Sequence, residues 1–188
     1  MNYFAINKPF GVLSQFSSKA EVNTLAGLYN FPDNVYPIGR LDKDSEGLLL
    51  LSDDKSLTNF LLNPEYKHER EYYAQVEGIP PKEKMIKLES GLIIEGIKTL
   101  PAKAKLLNDF TLPSRIPPIR FRKNITDCWI SLTLTEGRNR QVRKMTAAIG
   151  HPTLRLLRVR IKNILLGDLK PGEVRLLNRN EIKVLKGL

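Results

Sequence analysis

The sequence predicts an α+β fold built on a mixed, mainly antiparallel sheet. Three observations carry the prediction. Glu71 to Glu77, Trp129 to Thr135 and Leu154 to Ile161 alternate in character with the two-residue period of half-buried strands. Leu48 to Leu51 form an apolar run bounded by Gly47 and by Ser52-Asp53-Asp54, too short for a buried helix and suited to a buried strand. Helical spacings with their own stop signals lie between these segments, so short strands and helices are interspersed along the chain.

Taken in order, Tyr3 to Ile6 is a short strand ended by the turn residues Pro9 and Gly11, and Val12 to Phe16 is a second one. Residues 22–29 make one or two helical turns, and Phe31 to Asn34 is a loop before Val35 to Ile38. After the leucine run, Ser52 caps a helix with Asp53 and Asp54 in its first turn and Leu57, Phe60 and Leu61 on one face; Asn63-Pro64 stops it. Pro80-Pro81 opens a helix that closes at Ser90-Gly91, and Leu92 to Ile94 and Thr99 to Leu107 are strands. Residues 108–124 are rich in proline and arginine and hold no regular element; they are an excursion over a partner surface or a surface loop. Asn139 opens a helix through Ile149 that places Gln141, Met145 and Ala148 near one stripe, with Gly150 as its stop. Val174 to Leu177 is a last strand, and Asn180 caps a terminal helix.

A chain of 188 residues makes one domain, or two subdomains sharing a core. The single cysteine, Cys128, excludes an internal disulfide and fits a reducing compartment, and two histidines leave little for a zinc site. The N-terminal residues lack the pattern of a secretion signal and no window has the length of a membrane span, so a cytoplasmic location is expected. Charge is unevenly placed. Residues 1–100 carry 11 Lys and Arg against 14 Asp and Glu, a net of −3, whereas residues 101–188 carry 19 against 6, a net of +13. Such asymmetry points to a polyanion held by the second half; without a basic amphipathic helix, nucleic acid fits better than a membrane surface.

The segment Gly39-Arg40-Leu41-Asp42-Lys43-Asp44-Ser45-Glu46-Gly47 joins five charged side chains to the buried leucine run. A carboxylate fixed at the edge of a rigid strand suits nucleophilic or general-base work, although a loop aspartate also serves to satisfy backbone N–H groups. Arg40 either anchors a phosphate or neutralises the loop. The Asp-x-Asp-x-Glu spacing imitates a calcium loop, but Tyr36-Pro37-Ile38-Gly39 is no entering helix and the leucines intrude, so no metal is expected. Arg140, Arg143 and Lys144 recur at helical spacing near a helix start, a place suited to phosphates. Tyr72 and Tyr73 point to opposite faces of their strand.

Together these motifs resemble the RsuA-type bacterial ribosomal RNA pseudouridine synthases. Lys8-Pro9-Phe10-Gly11 resembles the first family motif, and Gly39-Arg40-Leu41-Asp42 with Ser45 to Leu50 the catalytic one. Arg70-Glu71-Tyr72 is similar to the Lys-x-Tyr motif with arginine for lysine, and Gly137 to Met145 resembles the late motif with Arg140 in place of histidine. With only seven residues before Lys8, the chain is most similar to the RluE branch, which lacks an S4 domain. The resemblance implies a bisected, mainly antiparallel sheet with flanking helices and a central cleft, and one catalytic domain over residues 1–188. It implies isomerisation of uridine to pseudouridine in large-subunit (23S) ribosomal RNA, without cofactor or metal, on a flipped-out base. Asp42 would be the nucleophile, at the sugar C1′ or the base C6; Tyr72 would stack on the base, and Arg143 would pair with Asp42. Arg40 would help displace the uridine, and Lys8, Arg138, Arg140, Lys144, Arg120 and Arg122 would contact RNA. The expected partner is ribosomal RNA, free or in an assembling particle, and the expected state is a monomer. The other reading is a non-catalytic RNA-binding assembly factor.

Overall fold

The computed structural model describes residues 1–19, 21–119 and 126–188. Its strands in chain order are β1 (Tyr3–Lys8), β2 (Tyr36–Pro37), β3 (Glu46–Ser52), β4 (Arg70–Glu77), β5 (Ile93–Ile94), β6 (Ile97–Lys98), β7 (Lys103–Leu107), β8 (Asp127–Leu134), β9 (Thr153–Ile161), β10 (Ile164–Leu165) and β11 (Val174–Leu176). Its α-helices are α1 (Lys55–Leu62), α2 (Lys82–Ser90), α3 (Gln141–Ala148) and α4 (Arg179–Lys186). The α+β class holds; of the pairings whose register is described, β3 with β9 is parallel and the others are antiparallel. The chain forms two compact units, Met1–His68 with Leu157–Leu188, and Glu69–Leu156.

The first unit is built on β11-β1-β3, with Leu157 and Arg158 at the middle of β9 running parallel to the start of β3. Every residue of β1 and β3 is buried. This explains why the leucine run does not alternate: a strand covered on both faces needs apolar side chains at each position. The two faces of β1 are covered differently. Phe4 packs on Tyr29 and Phe31, with ring centroids 5.9 and 5.3 Å apart, and Phe31 meets Phe16 at 5.6 Å. Tyr3, on the other face, donates its hydroxyl to Asp54, whose carboxylate also receives Lys186 from α4 at 2.8 Å. Leu57 and Leu61 of α1 and Leu185 of α4 are buried in the same unit. At Gly47 (φ +103°) a Cβ would lie 2.3 Å from the Arg158 carbonyl oxygen, so only glycine permits β3 and β9 to approach there.

In the second unit the order is β9 (its first residues), β4, β8, β7. Ala74 and Val76 of β4 and Ile130, Leu132 and Leu134 of β8 form a core with Leu88 of α2 and Val142, Met145 and Ile149 of α3. The opposite side-chain set carries Tyr73 and Trp129, bridged by the Phe110 ring at 5.0 and 5.5 Å.

Several boundaries differ from the sequence expectation. Val12 to Phe16 is not a strand; Leu13 makes one isolated bridge to Thr24, because that segment is used to brace two loops. Ser52 stays in β3, and the α1 cap is Asp54, which accepts from Ser56 N and Leu57 N. Asn178, not Asn180, caps α4 through a reciprocal capping box with Glu181. The Thr99–Leu107 strand begins only at Lys103, because Thr99 N, Leu100 N and Ala102 N donate to Leu92 O, Glu136 and Glu89 O. Helix α3 begins at Gln141; Arg140 precedes it in the left-handed region at φ 50°, and Ala148 is exposed while Val142 and Thr146 join the buried stripe.

Candidate active site

Asp42 lies at the tip of the hairpin made by β2 and β3. Tyr36 pairs with Ser52 and Pro37 with Leu51, and Ile38 N donates to Leu50 O at 2.7 Å. The tip closes with Ser45 N donating to Asp42 O at 3.0 Å. Asp42 is half-buried and Arg40 is exposed. Glu46 is not a loop ligand of the imitated calcium site: it begins β3 and is buried.

Lys8 corrects the sequence reading. It was expected as an RNA contact, but it is fully buried, and its Nζ donates to Val12 O at 2.8 Å and Pro9 O at 3.0 Å. Burial pushes its ammonium down to about 8, partly offset by the carboxylates of Glu46, Asp44 and Asp42, while Arg158 pushes the same way as burial. Arg158, also buried, donates Nε to Leu48 O at 2.7 Å. Two buried cations thus share one unit with the three carboxylates of the Asp42 loop. Arg158 was missed in the sequence, where it is one arginine among several in an alternating strand.

The second unit holds Tyr72, Arg138, Arg140, Arg143 and Lys144. Tyr72 is half-buried and packs against the core, on the same side of β4 as Ala74 and Val76. Arg138 was expected to contact RNA, yet its donors serve the protein: Nε meets Glu136 at 3.1 Å, Nη2 meets Lys98 O at 2.8 Å, and Nη1 meets Ile97 O at 3.3 Å. Glu136 also accepts from Gln141 Nε2 at 2.6 Å, and Gln141 Oε1 accepts from Arg138 N. This network fixes the entry to α3, and the sequence reading treated Gln141 only as a stripe residue. Arg143, on the first turn of α3, donates Nη1 to Thr153 O at 3.3 Å. Lys144 bridges to Glu95 at 2.8 Å and donates to Asn139. Arg140 is exposed. Of the expected basic residues, then, Arg40 and Arg140 are exposed, Lys144 and Arg138 are half-buried in ion pairs, and Lys8 is an internal tie. Arg120 and Arg122 lie outside the described residues. Among the described residues no group of three or more His, Cys, Asp or Glu side chains has the geometry to hold a metal.

The RNA pseudouridylate synthase family profile matches residues 2–148, and the chain belongs to that family. It is 48% identical over 169 residues to the ribosomal large subunit pseudouridine synthase E of Xanthomonas axonopodis pv. citri, covering 88% of each chain. It is 47% identical over 167 residues to the protein of the same name from Vibrio parahaemolyticus, covering 89% of this chain and 70% of that one. The ribosomal large subunit pseudouridine synthase B of Bacillus subtilis is 42% identical over 187 residues, with 99% and 72% covered. Among solved structures, a pseudouridylate synthase crystal structure superposes with a TM-score of 0.81 at 28% identity, covering 98% of this chain and 73% of that one. The protein is therefore an enzyme that isomerises uridine in RNA to pseudouridine, and the reading as a non-catalytic assembly factor is not favoured.

Proposed function

We propose that this chain, as a single catalytic domain acting as a monomer in the cytoplasm, isomerises specific uridines of large-subunit (23S) ribosomal RNA, with Asp42 as nucleophile. The observation that carries the reading is Asp42 itself: a half-buried carboxylate on a hairpin tip rooted in fully buried β3, in a pseudouridylate synthase chain. The substrate class follows from the names of the relatives at 47 and 48% identity.

The reaction is an isomerisation. The N1–C1′ bond breaks, the base turns, C5 bonds to C1′, and the proton leaving C5 is balanced by one gained at N1. Asp42 attacks C1′ or C6 and is released when the C5–C1′ bond is complete, so no external nucleophile is consumed. Tyr72 stacks on the uracil and assists removal of the C5 proton, and Arg143 keeps the Asp42 carboxylate oriented. Arg40 fills the space left as the nucleotide is extruded. Arg140 and Lys144 hold backbone phosphates, as does the basic stretch containing Arg120 and Arg122.

Unmodified 23S ribosomal RNA carrying tritium at uridine C5 tests this. The wild type is expected to release tritium, and Asp42→Asn to release none above background. Equal release from the two proteins removes Asp42 from the mechanism, and no release from either removes the substrate. A site-resolved pseudouridine map of ribosomal RNA with and without the gene then identifies the position; parallel assays on free RNA and on assembling particles separate those two substrates.

A further inference from the structure

Asp42 is the residue between two tethers to one turn. Ser14 Oγ donates to Leu41 O at 2.8 Å and accepts from Leu41 N at 3.0 Å, so one hydroxyl satisfies both backbone groups of the residue before Asp42. Gly11 N donates to Lys43 O at 2.8 Å, which ties the residue after it. Ser14 and Leu41 are both buried. The turn that supplies these tethers is itself braced. Lys8 Nζ holds Pro9 O and Val12 O from below, Leu13 N donates to Asn23 O at 2.9 Å, and Leu25 N donates to Gln15 O at 2.9 Å.

We infer that Ser14 is a positioning residue for the isomerisation: its paired hydrogen bonds to Leu41 set where the Asp42 carboxylate stands, without touching substrate. The inference rests on Asp42 being the nucleophile. One buried hydroxyl thus bonds both the N–H and the C=O of the residue next to Asp42. Removing the hydroxyl leaves a buried N–H and C=O of the hairpin tip to find new partners, which they do by moving. An attacking carboxylate is sensitive to such movement: a shift near 1 Å costs about 100-fold in rate.

The molecule supplies a matched control. Ser52 Oγ also makes one donated and one accepted backbone bond, at the other end of β3 and to two different residues: it donates to Asn2 O at 2.6 Å and accepts from Asp54 N at 3.0 Å, and Ser52 is also buried. Ser14→Ala therefore removes a buried hydroxyl bonded to the Asp42 loop, and Ser52→Ala removes one at the opposite end of β3 from that loop. The assay is steady-state tritium release from unmodified 23S RNA, with the melting temperature of each variant and with Asp42→Asn in parallel. The expected result is a kcat for Ser14→Ala lowered about 10- to 100-fold with KM little changed, a kcat for Ser52→Ala at the wild-type level, and melting temperatures lowered in both. Ser14→Thr, which keeps the hydroxyl, is expected to recover most of kcat. Ser14→Cys, similar in size but a weak hydrogen-bonding group, carries the test if Ser14→Ala does not fold. A wild-type kcat for Ser14→Ala or Ser14→Cys beside an inactive Asp42→Asn overturns the inference alone, as does an equal loss of kcat in Ser52→Ala. Activity retained by Asp42→Asn overturns the reading beneath it.

Discussion

At the scale of single residues, buried Lys8 and Gly47 show how the first unit pays for its loop. Lys8 has its folded-state pKa lowered to about 8 from an ordinary 10.5. Between those values the unfolded chain binds more protons than the folded one, so the contribution of Lys8 to the free energy of unfolding rises with pH across that window, by up to roughly 3 kcal/mol. Denaturant titrations at pH 8 and pH 10 should show the rise in the wild type and its loss in Lys8→Met. Gly47→Ala should cost about 3 kcal/mol or more, read by the same titration, because its Cβ would meet the Arg158 backbone at a glycine-favoured φ. Residue identity in these motifs was legible in the sequence, but depth was not. Lys8 looked like a surface cation because a basic side chain in a basic protein carries no mark of burial. What places it inside is the acceptors it meets, two turn carbonyls, whereas half-buried Arg138 is engaged by Glu136 and the β5–β6 hairpin carbonyls.

At the scale of elements, α4 is secured to the first unit by a buried carboxylate. Burial pushes Asp54 up, but Lys186, Ser56, the Leu57 N–H and Tyr3 outweigh it and hold the carboxyl well below the usual range. A depressed carboxyl contributes stability that is complete above the unfolded pKa near 3.9 and is lost as pH falls through the folded value beneath it. Lys186→Ala should therefore lower stability by about 1–3 kcal/mol at pH 7, measured by thermal or denaturant unfolding, and the deficit should shrink toward pH 2 as the carboxylate is protonated. The two-residue strands β2, β6 and β10 carry too little pattern to be read, whereas the four α-helices and the longer strands were readable from periodicity and stop signals. Their ends were not, because caps are decided by which side chain the chain can bend back. Asn178 wins over Asn180 since Glu181 stands three residues on and completes a reciprocal pair. Asp54 wins over Ser52 since Ser52 is still inside β3.

At the scale of the whole molecule, the charge of the second half, +13 over residues 101–188, sets the expected salt response. Binding of unmodified ribosomal RNA should weaken steeply with salt, and Arg140→Ala should lower the slope of log affinity against log salt by about 0.7 to 1, measured by filter binding between low and moderate salt. Lys8→Met should leave that slope unchanged, since Lys8 is buried. The family was legible because its motifs lie in a fixed order along nearly the whole chain. Two subdomains were among the expectations, but their boundary was not legible, because the first one is assembled from residues 1–68 and 157–188, and no composition shift marks such a discontinuous boundary.

The placement of β1 also governs how the protein is born. Phe4, Ala5 and Ile6 pair with Leu176, Arg175 and Val174, while the other edge of β1 pairs with β3. A nascent chain can zip β1 to β3 early, but one edge of that ribbon stays open until the last strand is synthesised, some 170 residues later. The first unit therefore cannot finish vectorially: its completion waits for β11 to be made, and pairing β11 with β1 closes a loop of about 170 residues, whose entropy cost falls on the final assembly of the sheet.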